Sequence, residues 1–270
     1  MKYKILVLDL DGTLTNSRKE ITDRTKHALK TYQKEGGIVV LASGRPTYGI
    51  MPLAEELDLK NYGGYILAFN GGQIIDCQKN RVIWQKVMPV EMNRRLYELA
   101  KENHVVIMTY ENENLITEDP EHRYVKKEMM INHMGVKQVT SFSEYVCFPV
   151  TKCLMVEDGD YLAEVEKRVK DALGNSLSIY RSEPFFLEIM PEGIDKAASL
   201  DWLLRYLHMN RENMAAFGDG FNDKTMIEFA GFGVAMGNAQ ETVKNAADWI
   251  APSNDEDGVA WTVENIPGFL

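Results

Sequence analysis

The chain has 270 residues, enough for two domains or one large one, and its 45% hydrophobic and 26% charged residues are ordinary for a folded globular protein. A net charge of -10 argues against non-specific binding to nucleic acid or to an anionic membrane, both of which reward basic patches. Three cysteines without metal-type spacing (Cys77, Cys147 and Cys153) read as reduced thiols of a cytoplasmic protein, and no targeting segment or membrane span is expected.

Residues 5–8 read as a buried strand that ends in two aspartates, Asp9 and Asp11, followed at once by Gly12 and Thr13. A helix is expected over 22–35, with Thr22 as its N-cap and Gly36-Gly37 as its stop. Residues 38–42 form a second apolar strand, and Pro46 suits the first turn of a helix that Pro52 should interrupt. Residues 65–69 make a third strand. Runs of Val, Ile and Leu without polar alternation suit a parallel sheet covered on both faces.

The pattern changes near residue 83. Helices are expected over 89–103, 120–133 and 159–173, separated by strands over 105–110, 114–117, 152–156, 177–181 and 185–189. Several of these strands read as antiparallel and half-exposed, which is α+β character inside an α/β chain. After Pro191 the α/β rhythm returns, with helices over 195–209, 223–230, 239–247 and 258–265 and strands over 214–217, 232–236 and 249–251. The expected architecture is therefore α/β: a doubly wound parallel-sheet core from residues 1–82 and 190–270, with an α+β domain inserted over 83–189.

In open parallel sheets, ligands bind beyond the carboxyl ends of the strands. Those ends carry Asp9-Leu10-Asp11-Gly12-Thr13, Ser43-Gly44-Arg45, Asn70-Gly71-Gly72 and the stretch from Gly218 to Asp223. Four carboxylates, Asp9, Asp11, Asp219 and Asp223, should then converge on one edge. Crowded carboxylates are costly unless a cation, a proton or a donor offsets them. A hard cation such as Mg²⁺, held by carboxylates and phosphate oxygens, would do so.

Four segments in order, DLDGT, LASGR, the lysine of EGIDKAASL, and GDGFND, resemble the four motifs of the haloacid dehalogenase superfamily. The insertion between the second and third resembles the type IIB cap of the Cof-type phosphatases, as does the ending APSNDEDGVA. The resemblance implies Mg²⁺-dependent hydrolysis of phosphate monoesters of small metabolites, sugar phosphates foremost. It implies Asp9 as nucleophile, Asp11 as the acid and base, and Lys196 as the partner of Asp9 and the phosphoryl group. The Asp11 acid role calls for a raised pKa, and neighbouring negative charge is expected to supply it. Asp9, the Asp11 main-chain carbonyl and Asp219 would hold Mg²⁺, with Asp223 binding directly or, preferably, through a metal-bound water. Ser43 and the amides of Leu10 and Gly44 would bind phosphoryl oxygens, and Asn222 and Asn70 would contact substrate. The cap would rest over the site and choose the substrate.

Two departures are small: Lys196 is followed by Ala197 rather than Gly, and Ser43 stands where many relatives carry Thr. A phosphosugar mutase of the same superfamily and a non-catalytic phosphosugar-binding protein are the alternatives. The complete set of acidic residues and Lys196 favours a working enzyme over the latter. The acidic run Asp255-Glu256-Asp257 before Gly258 is expected to cap the last helix. The oligomeric state is left open by the sequence.

Overall fold

A computed structural model describes all residues, 1–270. Five strands come first: β1 (Ile5–Leu8), β2 (Ile38–Ala42), β3 (Tyr65–Ala68), β4 (Gln73–Asp76) and β5 (Arg81–Gln85). Six follow: β6 (Val106–Glu111), β7 (Asn114–Thr117), β8 (Gly135–Gln138), β9 (Cys153–Val156), β10 (Leu177–Glu183) and β11 (Phe186–Pro191). Three close the chain: β12 (Met214–Gly218), β13 (Phe232–Ala235) and β14 (Trp249–Ile250). The chain divides into two compact units, one of Met1–Trp84 with Asp195–Leu270, the other of Gln85–Ile194.

The first unit is built on an eight-stranded sheet of order β14-β13-β12-β1-β2-β3-β4-β5. Strands β14 to β3 in that order are parallel, whereas β4 turns back antiparallel to β3. The sheet thus has the expected parallel core, with an antiparallel strand added at one side. Its centre is β1, whose Ile5 to Leu8 register with Ile38 to Leu41 of β2 on one side and with Met214 to Phe217 of β12 on the other. All four residues of β1 are buried, so every side chain in the strand is apolar rather than alternating. From β1 the chain winds outward through β2 and β3, while β12 and β13 extend the opposite side. The carboxyl ends of β1 and β12 therefore flank a topological switch point.

Helix Asp23–Lys34 starts where Thr22 accepts a hydrogen bond from the Thr25 amide, as its sequence predicts. Pro46 is the N-cap of helix Thr47–Glu56 rather than a residue of its first turn, and Pro52 does not end that helix. Proline forfeits one bond to the carbonyl four residues back, and the buried Ile50 and Ala54 on either side hold the helix down. The acidic run near the C-terminus also differs from expectation. The Asp257 side chain makes no cap bond to helix Gly258–Asn265 and instead accepts from the Thr22 hydroxyl at 2.5 Å. Asp255 accepts from the Ser17 amide and hydroxyl at 2.8 and 2.6 Å, and Glu256 closes a capping box with Ser253. The run ties the C-terminal segment to the loop after β1.

The second unit has a six-stranded sheet of order β10-β11-β9-β6-β7-β8, antiparallel except for the β7–β8 pair. Helices Val90–Glu102 and Gly159–Leu173 pack Leu96, Leu99, Leu162 and Val165 on one face with Ile107, Met155 and Leu187. Helix Arg123–Asn132 sets Val125 against Met108, Leu154 and Phe186 on the other. Adjacent strand residues, such as Leu154 and Met155, so enter different cores. With both faces covered, β9 and β11 are buried throughout rather than half-exposed. No helix is long and apolar enough to cross a membrane.

Candidate active site

Each acidic residue is placed by a strand end. Asp9 follows β1, its amide donating to the Phe217 carbonyl of β12 at 3.0 Å, and Asp219 follows β12 directly. Gly12 lets the two loops meet: its φ is +86°, and a Cβ there would lie 2.4 Å from an oxygen of Asp219. Thr13 fixes Asp219 by donating to its Oδ1 at 2.8 Å. Asp223 folds back in a short helical turn, where its Oδ2 accepts from the amides of Asp219 at 3.0 Å and Gly220 at 2.9 Å.

Lys196 reaches the same place from the far end of the chain. Asp195 caps helix Lys196–Tyr206 by accepting from the Ala198 amide, which puts Lys196 in the first turn. The fully buried Lys196 ammonium donates to Asp9 Oδ1 at 2.7 Å, Asp223 Oδ1 at 2.6 Å and the Ala42 carbonyl at 2.8 Å. All three donor positions of the ammonium are engaged. Both Asp223 oxygens accept hydrogen bonds within the protein, Oδ1 from Lys196 and Oδ2 from the two amides.

Ligand oxygens of Asp9, Asp219 and Asp223 lie within 4.8 Å of one another. Three carboxylates face one ammonium, so negative charge is in excess. Burial first, then the charge of Asp223, outweighs the pull of Lys196 and raises the Asp9 carboxyl to about 8. Burial likewise raises Asp219 to about 6 against the hydrogen bond from Thr13. Burial works against the Lys196 charge, but Asp223 and Asp9 more than offset it and keep the ammonium protonated above its ordinary range. An all-oxygen set with excess negative charge fits a hard divalent cation.

This crowding has a pH signature. The folded values of Asp9 and Asp219 exceed the ordinary 3.8. Without a cation, these two groups hold more protons in the folded than in the unfolded chain from about pH 4 to about pH 8, and the stability they contribute falls as pH rises through that window. Urea midpoints in chelator are expected to drop from about pH 5 to about pH 8, and Mg²⁺ to remove most of the drop. A chelated midpoint that rises over this interval would exclude crowding as the dominant effect.

The residues expected at the phosphate are arranged as follows. Leu10 is buried, and its carbonyl accepts from the amides of Thr13 and Thr15. Ser43 is buried, with its Oγ accepting from the Arg45 amide at 3.2 Å. Gly44 lies against Asn70, where a Cβ would meet Asn70 Nδ2 at 3.2 Å. Asn70, in a left-handed conformation with φ 54°, accepts from Asn222 Nδ2 at 3.1 Å, so two expected substrate contacts pair with each other.

Asp11 departs from expectation. Its side chain is outside the Asp9–Asp219–Asp223 group. It faces Arg45, whose Nε and Nη2 donate at 2.8 and 2.6 Å, and Lys19, whose ammonium donates at 2.8 Å. Burial pushes the Asp11 pKa up, but the hydrogen bonds and charges of Arg45 and then Lys19 prevail, and the carboxyl sits below its ordinary range. The expected rise is therefore corrected: cations, not carboxylates, are its immediate neighbours. Thr13 and Arg45 stand inside DLDGT and LASGR, so their motifs could have flagged them. Nothing in the sequence marked Lys19 or Asn238, whose Nδ2 donates to the Gly12 carbonyl at 2.8 Å.

A cavity of about 310 Å³ lies elsewhere, within the second unit, lined by Tyr97, Lys101, His104, Ile107, Thr117 and Glu118. Lys101 and Glu118 pair there at 2.6 Å, and no motif residue lines it.

Residues 6–263 match the haloacid dehalogenase-like hydrolase family. The chain belongs to that family. It is a phosphatase of the hydrolase class, and several curated relatives that match nearly its whole length are named as phosphatases. A 5-amino-6-(5-phospho-D-ribitylamino)uracil phosphatase of Bacillus subtilis is 32% identical over 262 residues, 97% of this chain and 95% of the relative. The crystal structure of a haloacid dehalogenase-like hydrolase from Bacteroides thetaiotaomicron superposes with a TM-score of 0.95 at 50% identity, covering 98% of this chain and 100% of that one. A sugar phosphatase of subclass IIB within the same superfamily superposes with a TM-score of 0.80 at 28% identity, covering 99% and 100% of the two chains.

Proposed function

We propose that this phosphatase hydrolyses phosphate monoesters of small metabolites, sugar phosphates foremost, in a Mg²⁺-dependent reaction through an aspartyl-phosphate on Asp9. The observation that carries the reading is the meeting of Asp9, Asp219, Asp223 and Lys196 at one switch point of the sheet. The names of the ribitylamino-uracil phosphatase and the sugar phosphatase support a small phosphorylated substrate. Three unpaired cysteines fit a reducing cytoplasm.

The chemistry is a double displacement. An Asp9 oxygen forms a bond to phosphorus as the ester oxygen leaves, and Asp11 supplies the proton that the leaving oxygen takes up. Asp11 then takes a proton from water as that water attacks phosphorus, which frees Asp9 and inorganic phosphate. Lys196 holds Asp9 in place and offsets negative charge as the phosphoryl group arrives. The Ser43 hydroxyl and the amides of Leu10 and Gly44 donate to phosphoryl oxygens, and Asn222 and Asn70 line the substrate side. Asp9, Asp219 and the Asp11 carbonyl would hold Mg²⁺, with Asp223 behind them. Bound Mg²⁺ supplies positive charge to the phosphoryl oxygens and relieves the repulsion between the carboxylates.

A panel of sugar phosphates and other phosphomonoesters, read by released phosphate, tests the reading. Turnover is expected with Mg²⁺ and a loss of about 100-fold or more in chelator, restored by added Mg²⁺. Full activity in chelator, or isomerised sugar phosphate without free phosphate, would overturn it.

A further inference from the structure

Arg45 is held by three contacts that do not involve Asp11. Its carbonyl accepts from the Phe69 amide at 3.0 Å, its amide donates to Ser43 Oγ at 3.2 Å, and its Nη1 donates to the Gly49 carbonyl at 3.3 Å. The side chain is only 16% exposed, against 37% for Asp11 and 61% for Lys19. Of the three, Arg45 is the fixed element. Its planar fork meets both oxygens of Asp11, Nε on Oδ2 and Nη2 on Oδ1. Two-point contact sets the rotation of a carboxylate, which a single ammonium cannot do.

Lys19 approaches from the open side. It sits at φ 63° in a turn built on Asn16, whose Oδ1 accepts from the amides of Arg18 and Glu20 and whose carbonyl accepts from the Lys19 amide. A lysine in the left-handed region is uncommon, and the surrounding turn enforces it here. The Lys19 ammonium contacts only Asp11 Oδ1, the oxygen that Arg45 Nη2 also meets.

We propose that Arg45 is a positioning residue for Asp11, its fork fixing the direction of the carboxyl that serves the leaving oxygen, with Lys19 as a secondary, exposed contact. The inference rests on the reading of Asp11 as the acid. Acid catalysis depends on geometry before proton affinity. It matters most for esters whose leaving oxygen is strongly basic, and little for those that depart unaided. Loss of the fork should therefore act through Asp11 and only where the acid is needed.

The experiment is a mutant cycle in the Mg²⁺-loaded protein, with glycerol 2-phosphate as the poor leaving group and 4-nitrophenyl phosphate as the good one. Asp11→Asn is expected to cost about 100-fold or more on the first and about tenfold or less on the second. Arg45→Ala should cost about 10- to 100-fold on the first, largely in kcat, and less than about threefold on the second. Arg45→Lys should recover part of that loss, and Lys19→Ala should cost less than Arg45→Ala. In the Asp11→Asn background, Arg45→Ala should cost nothing further, because a group acting through another is non-additive with it.

A merely structural role for Arg45 would lower both substrates together and would add to Asp11→Asn; either result overturns the proposal. A faster Arg45→Ala on glycerol 2-phosphate also overturns it, since the fork would then restrain Asp11 rather than aim it. If Asp11→Asn itself loses equally on both substrates, it is the acid assignment of Asp11 that fails. If Asp11→Asn shows the expected dependence and Arg45→Ala does not, only the positioning role fails.

Discussion

Replacing Asp9 by Asn is expected to abolish phosphate release, by a factor on the order of 10⁴ or more, while the protein remains folded. An amide of the same shape can still accept from Lys196, whose ammonium meets Asp9 Oδ1 at 2.7 Å. It cannot attack phosphorus as a carboxylate does. The substitution also removes one negative charge from a site where three carboxylates share one ammonium. In chelator near pH 8, Asp9→Asn should therefore unfold at a urea concentration no lower than the unsubstituted chain. Phosphate release and urea unfolding on the same preparation check both halves. Retained turnover rules out Asp9 as nucleophile, and lost turnover with lost folding moves the effect from chemistry to structure.

Lys196→Met should be the most destabilising single change at the site. The Lys196 side chain has no exposure, and it bridges Asp9 and Asp223, which are 9% and 1% exposed. Methionine fills similar volume but leaves two buried carboxylates without their counter-charge. Breaking a buried pair from one side costs about 3–5 kcal/mol. The loss should be largest near pH 8 in chelator and smaller near pH 5, because the Asp9 carboxyl, already raised to about 8 by burial and the charge of Asp223, will hold a proton there. Urea unfolding at the two pH values measures this. A loss below about 1 kcal/mol at the higher pH, the level of an exposed pair, would show that Lys196 is not the main compensation for these carboxylates. Phosphate release should fall in parallel, since Lys196 positions Asp9.

Strands β1, β2, β3 and β12 were legible in the sequence for a single physical reason. Both faces of the sheet are covered, so each appears as an unbroken apolar run with a chemically distinctive residue at its end. Strand β5 was not. It lies at the edge of the sheet, where Arg81, Val82 and Gln85 are exposed and Ile83 and Trp84 half-buried, and Arg, Val, Ile, Trp and Gln in a row carry no clear period. The four motif segments were legible because spacing along a strand end survives folding unchanged. Pro52 misled because the breaking tendency of one proline is local, whereas the buried Ile50 and Ala54 that hold its helix are a tertiary effect.

The residue types and their order determined the parallel core, the inserted α+β segment and the acidic residues brought to the carboxyl ends of β1 and β12. Tertiary structure alone decided the direction each carboxylate faces. Asp9 and Asp11 are two residues apart, yet one turns to Lys196 and the other to Arg45 and Lys19. The reason is electrostatic: a carboxylate follows the donors nearest to it in space. Arg45 is 34 and Lys196 is 187 positions away along the chain, distances that only folding closes.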